Sequence, residues 1–226
     1  NAEGIEIRQS SGRATFSNLV TVNGLGTGIG TEAAVFVHDQ LAASTVSFRN
    51  NLVISGTGRG SNGNGINISN NLAGSVFNVD GNVSVDGTDL ASIAIATNAG
   101  SVRFNGSTRI TRRLQEGILV TDSSGPVQFG DALADVTSIL NDDTTASQFA
   151  AMSFTGNSGG ISVQNTSIGN AQGGAPGGAG VNIVDNTGAV SFGAMVVESF
   201  DGIGLFGLNN TSLRISDGVI ATDAAA

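Results

Sequence analysis

One line of sequence is written eight times along this chain, and no other feature restricts its fold so tightly. The copies are GIEIRQSSGRATF (4–16), AVFVHDQLAASTVSF (34–48), GINISNNLAGSVFNV (65–79), SIAIATNAGSVRF (92–104), GILVTDSSGPVQF (117–129), AMSFTGNSGGISV (151–163), GVNIVDNTGAVSF (180–192) and GLFGLNNTSLRI (204–215). Their first apolar residues, Ile5, Val35, Ile66, Ile93, Ile118, Met152, Val181 and Leu205, are spaced by 24 to 34 residues. A period in this range marks a stacked repeat architecture, in which each copy is one structural unit.

Within each copy, apolar residues alternate with variable ones, the period-2 signature of a strand with one buried face. A first strand buries pairs such as Ile5/Ile7, Ile66/Ile68 and Val181/Ile183. A second buries Ala14/Phe16, Val46/Phe48, Val102/Phe104 and their equivalents. Between them lie turns such as QSSG, TNAG, DSSG and DNTG, whose residues bond their own backbone or accept positive φ. A weaker third strand is expected at Val20/Val22, Leu52/Ile54, Val83/Val85, Ile110 and Val219, and is indistinct in copies five to seven.

Three short strands per copy, with no helical period between them, predict an all-β chain. The economical solution is a right-handed parallel β-helix of about eight coils, because parallel crossovers are overwhelmingly right-handed. Equivalent strands then pair about 4.8 Å apart. Stacking predicts an internal file of Phe16, Phe48, Phe104, Phe129 and Phe192, completed by Val79, Val163 and Ile215. It also predicts an asparagine ladder through Asn71, Asn98, Asn157, Asn186 and Asn210. One β-helix domain is expected over 1–222, with a loose tail at 223–226. Length varies mainly between strand three and the next strand one, placing variable loops along one edge.

Composition narrows the chemistry. The net charge of −9 and the absence of lysine argue against a phosphate-binding basic face, so no nucleic-acid partner is expected. No cysteine is present, which removes disulfides, thiolate metal sites and thiol nucleophiles. No apolar run approaches the roughly 18 residues of a membrane helix, and membrane insertion is not expected. No leader or initiator methionine is visible, as in a mature product or an excised segment.

Several motifs invite a catalytic or binding reading, and the repeat answers most of them. GRGSNG (58–63) matches a dinucleotide fingerprint but leads into strand alternation, where the motif needs a helix. GNSGG (156–160) resembles a serine-nucleophile neighbourhood, yet Ser158 fills the same turn slot as Ser11, Ser124 and Thr187. The only histidine, His38, lies four coils away and reads as a turn or surface residue. Asp122 and Asp185 share a turn column two coils apart, about 9.6 Å at strand spacing, the upper limit for an inverting carboxylate pair. Asp142 and Asp143 are adjacent in a loop, where they read as a solvated pair or a cation contact. The six N-x-S/T tripeptides are expected from composition alone. The sequence thus assigns no catalytic, cofactor-binding or metal-binding residue, and no enzyme activity is expected.

The outward row of strand one includes Phe36, Leu119 and Phe206, which calls for cover by another segment or molecule. Neither end of the repeat array carries an amphipathic or polar cap, so the terminal coils expose strand edges. Self-association through the end coils, or continuation of a longer solenoid, is expected, with glycans or cell surfaces as further partners. Pattern and Gly/Asn/Ser/Thr-rich composition resemble the β-helical surface proteins of bacteria: autotransporter passengers, filamentous-haemagglutinin-like adhesins and giant cell-surface proteins. The resemblance is architectural. It implies a structural or adhesive role outside the cell, assembled end to end or as part of a surface fibre. Pectate lyases, polygalacturonases and phage tailspikes share the architecture, so a carbohydrate-binding or polysaccharide-degrading β-helix is the alternative.

Overall fold

The protein is described here by a computed structural model covering residues 4–24, 32–55, 63–140, 149–169, 179–198 and 203–221. The loop pair Asp142/Asp143, most of GRGSNG and the tail lie outside these residues. Every regular element among the described residues is a strand, and every strand pair is parallel. The chain is a parallel β-solenoid.

The first strands of the eight copies, Ile5–Arg8, Glu32–His38, Gly63–Ser69, Ile93–Ala96, Ile118–Thr121, Met152–Thr155, Val181–Val184 and Leu205–Leu208, form one sheet in sequence order. Each copy is therefore one rung. The registers join Ile7 to Val37, Ile68 to Ile95, Val120 to Phe154 and Ile183 to Gly207, as the repeat alignment requires. The inner six rungs have neighbours on both sides and bury their inward side chains fully. The first and last have a neighbour on one side only.

The remaining strands form a second sheet of two kinds. In rungs one to five, strand two (Arg13–Phe16, Thr45–Phe48, Val76–Val79, Ser101–Phe104, Val127–Phe129) is separate from strand three (Val20–Asn23, Leu52–Ser55, Val83–Thr88, Thr108–Arg113, Thr137–Leu140). In rungs six to eight the two fuse into single strands, Ile161–Gly169, Val190–Glu198 and Leu213–Ala221. Three strands per coil therefore hold for five rungs only. Strand three also differs from expectation in rung eight: Val219 pairs with half-buried Val196, while Ile220 pairs with buried Val197 and takes the inward place.

The aromatic file is present. Phe16 stacks on Phe48 with centroids 4.5 Å apart, and Phe104 on Phe129 at 5.0 Å. Where Val79 interrupts the file, Phe77 of the same rung fills the space, 5.9 Å from Phe48 and 5.7 Å from Phe104. Where Val163 interrupts it, Phe154 of the same rung reaches in from the other sheet and stacks on Phe192. Offset rings at these separations add to the large apolar area each one buries.

The asparagine ladder is also present, inside the turn between strands one and two. Ser123 N–H donates to Asn157 Oδ1 at 2.9 Å, Asn157 N–H to Asn186 Oδ1 at 3.0 Å and Asn186 N–H to Asn210 Oδ1 at 3.1 Å. Their side-chain amides donate onward, Asn157 Nδ2 to Val120 O and Asn186 Nδ2 to Phe154 O. Gln40 and Ser123 take the ladder place in rungs two and five. The residue before each ladder place has positive φ: Gln9, Asp39, Asn70, Thr97, Asp122, Gly156, Asp185 and Asn209. This left-handed step turns the chain so that the ladder side chain points inward. Two residues beyond it, Gly100, Gly125, Gly159 and Gly188 pack backbone on backbone. A Cβ at Gly125 would come within 2.0 Å of Gly100 O.

Candidate functional site

Because the repeat consumes the inward positions, function must reside on the outward rows, the corners or the end rungs. The outward row of strand one runs Glu6, Phe36, Asn67, Ala94, Leu119, Ser153, Asn182 and Phe206. Ala94 and Ser153 are buried, Phe36 and Leu119 half-buried, and Phe206 is exposed.

A polar cluster lies at the start of this face. His38 is the last residue of its strand and only 8% exposed, so it is neither a turn nor an open surface residue. Its ring stacks on Phe36 with centroids 4.0 Å apart. Nδ1 lies 2.9 Å from Asp39 Oδ2, and Nε2 lies 3.0 Å from Glu6 Oε1 on the first rung. Arg8 Nε stands 3.8 Å from the same Asp39 oxygen. These partners leave no role for His38 beside Ser158, which sits in an exposed turn with its N–H donated to Ser123 O.

The paired carboxylates Asp122 and Asp185 stand two rungs apart, and Asp122 Oδ1 leans over Gly156. Gly156 occupies the rung between Asp122 and Asp185, and Asp185 Oδ1 accepts a hydrogen bond from Asn209 Nδ2 on the side away from Asp122. Among the described residues, no three His, Asp or Glu side chains are grouped to hold a metal ion.

The outward row of strand two is polar. Arg103, Gln128, Ser162 and Ser191 border a shallow groove of about 300 Å³ across rungs four to seven, floored by Pro126, Gly160 and Ala189. The exposed Arg103 guanidinium gives the groove a local positive charge on an acidic molecule.

Two corner features escaped the repeat analysis. A second ladder follows the corner between strands two and three: Asn82 N–H donates to Asn51 Oδ1, Ser107 N–H to Asn82 Oδ1 and Val136 N–H to Ser107 Oγ. At the exit of rung four Arg113 is buried, and its Nη1 donates to the carbonyls of Gln115, Phe149 and Ala150. Burial lowers its pKa to about 10, so it remains charged at neutral pH and staples two successive corners. The only sequence signal was a run of two arginines interrupting the strand pattern.

Among the described residues, the end rungs expose places that are buried in every inner rung. Ile5, Ile7, Phe16, Val20 and Val22 in rung one are half-buried, as are Leu205 and Ile215 in rung eight. Leu213 and Ile220, whose equivalents Val190 and Val197 are buried, are 38% and 48% exposed. The class is therefore a parallel β-solenoid repeat protein with open apolar cross-sections at both described ends. The sequence matches no protein-family model, no curated protein and no solved structure.

Proposed function

We propose that this chain is a non-enzymatic structural segment of an extended extracellular solenoid, a scaffold or adhesive fibre whose open rungs are extended by further rungs. The carrying observation is the exposure of core columns at rungs one and eight, where strand edges and apolar side chains lack the neighbour that every inner rung has. Edges of this kind are templates for further pairing. Extension takes place by rungs of the fused kind or by another copy's first rung, and the corners favour the former. In rung eight the inward places Ile215 and Gly218 are three positions apart, as are Phe192 and Met195 in rung seven. In rung one Phe16 and Val20 are four positions apart. A rung of the fused kind continues the stack without adjustment, whereas a second copy's first rung needs an extra residue accommodated at the corner.

Appending a further copy of residues 180–203 after rung eight tests this reading. The expected outcome is a higher melting temperature and less concentration-dependent sedimentation than the unextended chain. An unextended chain that stays monomeric at high concentration, with no thermal gain from the added rung, would overturn it.

The groove beside Arg103 supports a second reading, a carbohydrate-binding face for acidic oligosaccharides. Binding on a glycan array that is lost in Arg103→Ala, with rung extension without effect, would shift the assignment to it.

A further inference from the structure

We infer that the open face of rung eight selects the rung that stacks on it, and that the selected partner is a further rung carrying a side-chain amide at the ladder place. The inference rests on the extension reading above and names the chemistry of the partner.

The joints between rungs six, seven and eight show what an inner face supplies. Asn157 N–H and Nδ2 both donate to Asn186 Oδ1, at 3.0 and 2.9 Å. Asn186 N–H and Nδ2 do the same to Asn210 Oδ1, at 3.1 and 2.9 Å. The arriving amide also gives a hydrogen back. Asn186 Nδ2 donates to Phe154 O and Asn210 Nδ2 to Ile183 O, each three positions before the ladder place of the preceding rung. The turn completes the joint, with Thr187 and Gly188 N–H donated to Asn157 O and Thr211 N–H to Asn186 O.

On rung eight the corresponding groups are Asn210 N–H, Nδ2 and C=O, with Gly207 C=O three positions earlier. No rung lies beyond them among the described residues. They therefore lack the partners that Asn186 and Ile183 have, and they stand beside the exposed Leu213 and Ile220. Two donors converge where the next Oδ1 belongs, and an acceptor waits for the next Nδ2.

An oxygen alone does not replace the amide. Rung five carries Ser123 at this place, and there Asn98 N–H reaches Ser123 Oγ only at 3.4 Å. Asn98 Nδ2 leaves the ladder and donates to Gly100 O in its own turn. A hydroxyl has one hydrogen where an amide has two, and that of Ser123 goes to Thr121 O of its own rung. Ser123 thus gives nothing back to rung four. The first rung of a second copy presents Ser10 here, with its Oγ already accepting from Gly12 N–H. The seat on rung eight favours an asparagine rung over that one, independently of the corner between strands two and three.

The test uses the chain extended by a further copy of residues 180–203, unchanged or with Asn186→Ser in the added copy alone. Serine is compatible with a folded rung, as Ser123 shows in rung five. Exchange of the Asn210 amide should be about ten-fold slower with the asparagine rung than with the serine rung, the scale of two ordinary hydrogen bonds. The asparagine rung should also give the larger rise in melting temperature. In the unextended chain, Ser123→Asn should slow exchange of the Asn98 amide. Equal Asn210 protection and equal thermal gain from both added rungs would overturn the amide selection and leave the extension reading standing. An Asn98 amide unmoved by Ser123→Asn would overturn the selection on its own. No thermal gain from either added rung would overturn the extension reading, and the selection with it.

Discussion

Rungs one to four and rungs six to eight share one core but solve the corner between strands two and three differently. In the first group the chain breaks for a four-residue step, supported by the Asn51–Asn82–Ser107 ladder. Gly81 and Gly106 lie tight against the preceding rung, where a Cβ would come within 2.5 to 2.8 Å of backbone atoms. In the second group the strand runs through as nine residues, with a single bond of this kind, from Ala194 N–H to Asn165 Oδ1, and Gly193 tight against Gln164 O. Rung five, with the longer excursion 130–136, joins the two kinds. The lesson is that a repeated bend carries polar support from rung to rung: three consecutive bonds accompany the broken corner, where the fused strands carry one.

Three substitutions sharpen the contrast. The inner ladder serves both groups and is buried, so Asn157→Ala should cost the most, about 3 kcal/mol, because Ser123 N–H and Val120 O lose their partners together. Chemical denaturation would measure it, and a cost no larger than that of the next variant would contradict the ladder's central place. The corner ladder is exposed, and water can replace it. Asn82→Ala should therefore cost about 1 kcal/mol and loosen amides of rungs two to four while leaving rungs six to eight unchanged in exchange measurements.

The smallest effect is expected at Asp86, on strand three of rung three. A hydrogen bond from Arg112 holds its carboxyl below the ordinary carboxylate value, opposed by partial burial and helped by Thr111. A depressed carboxyl stabilises above its ordinary range and stops doing so as pH falls through its lowered value. Arg112→Ala should thus lose under about 0.5 kcal/mol at neutral pH, and the unfolding curves of the two proteins should converge in strong acid.

Strands one and two were legible in the sequence because their inward places alternate strictly and are almost all Ile, Val, Leu or Phe. The inner ladder was legible because asparagine recurs at one offset from the same alternation. Strand three was not, for two physical reasons. Its first inward place is threonine in three successive rungs, Thr108, Thr137 and Thr166, all buried, and a threonine column does not register as apolar. In the fused strands, moreover, inward places are three positions apart across the join, as from Val163 to Thr166, so the period of two slips by one. That slip is why Val219 was assigned inward in place of Ile220. The His38 cluster was hidden for another reason: Glu6 and His38 are 32 residues apart, and only the register brings them together.

The phenylalanines carry a further consequence. Rungs one to seven each place a single phenylalanine in the interior: Phe16, Phe48, Phe77, Phe104, Phe129, Phe154 and Phe192. When the ring leaves its usual site, as in rungs three and six, a valine takes the vacated place on that same level. Each level thus carries its own volume balance, and no neighbour has to compensate for it. A lineage of such chains can lengthen or shorten by whole levels, through duplication or loss of one coding unit, without repacking what remains above and below.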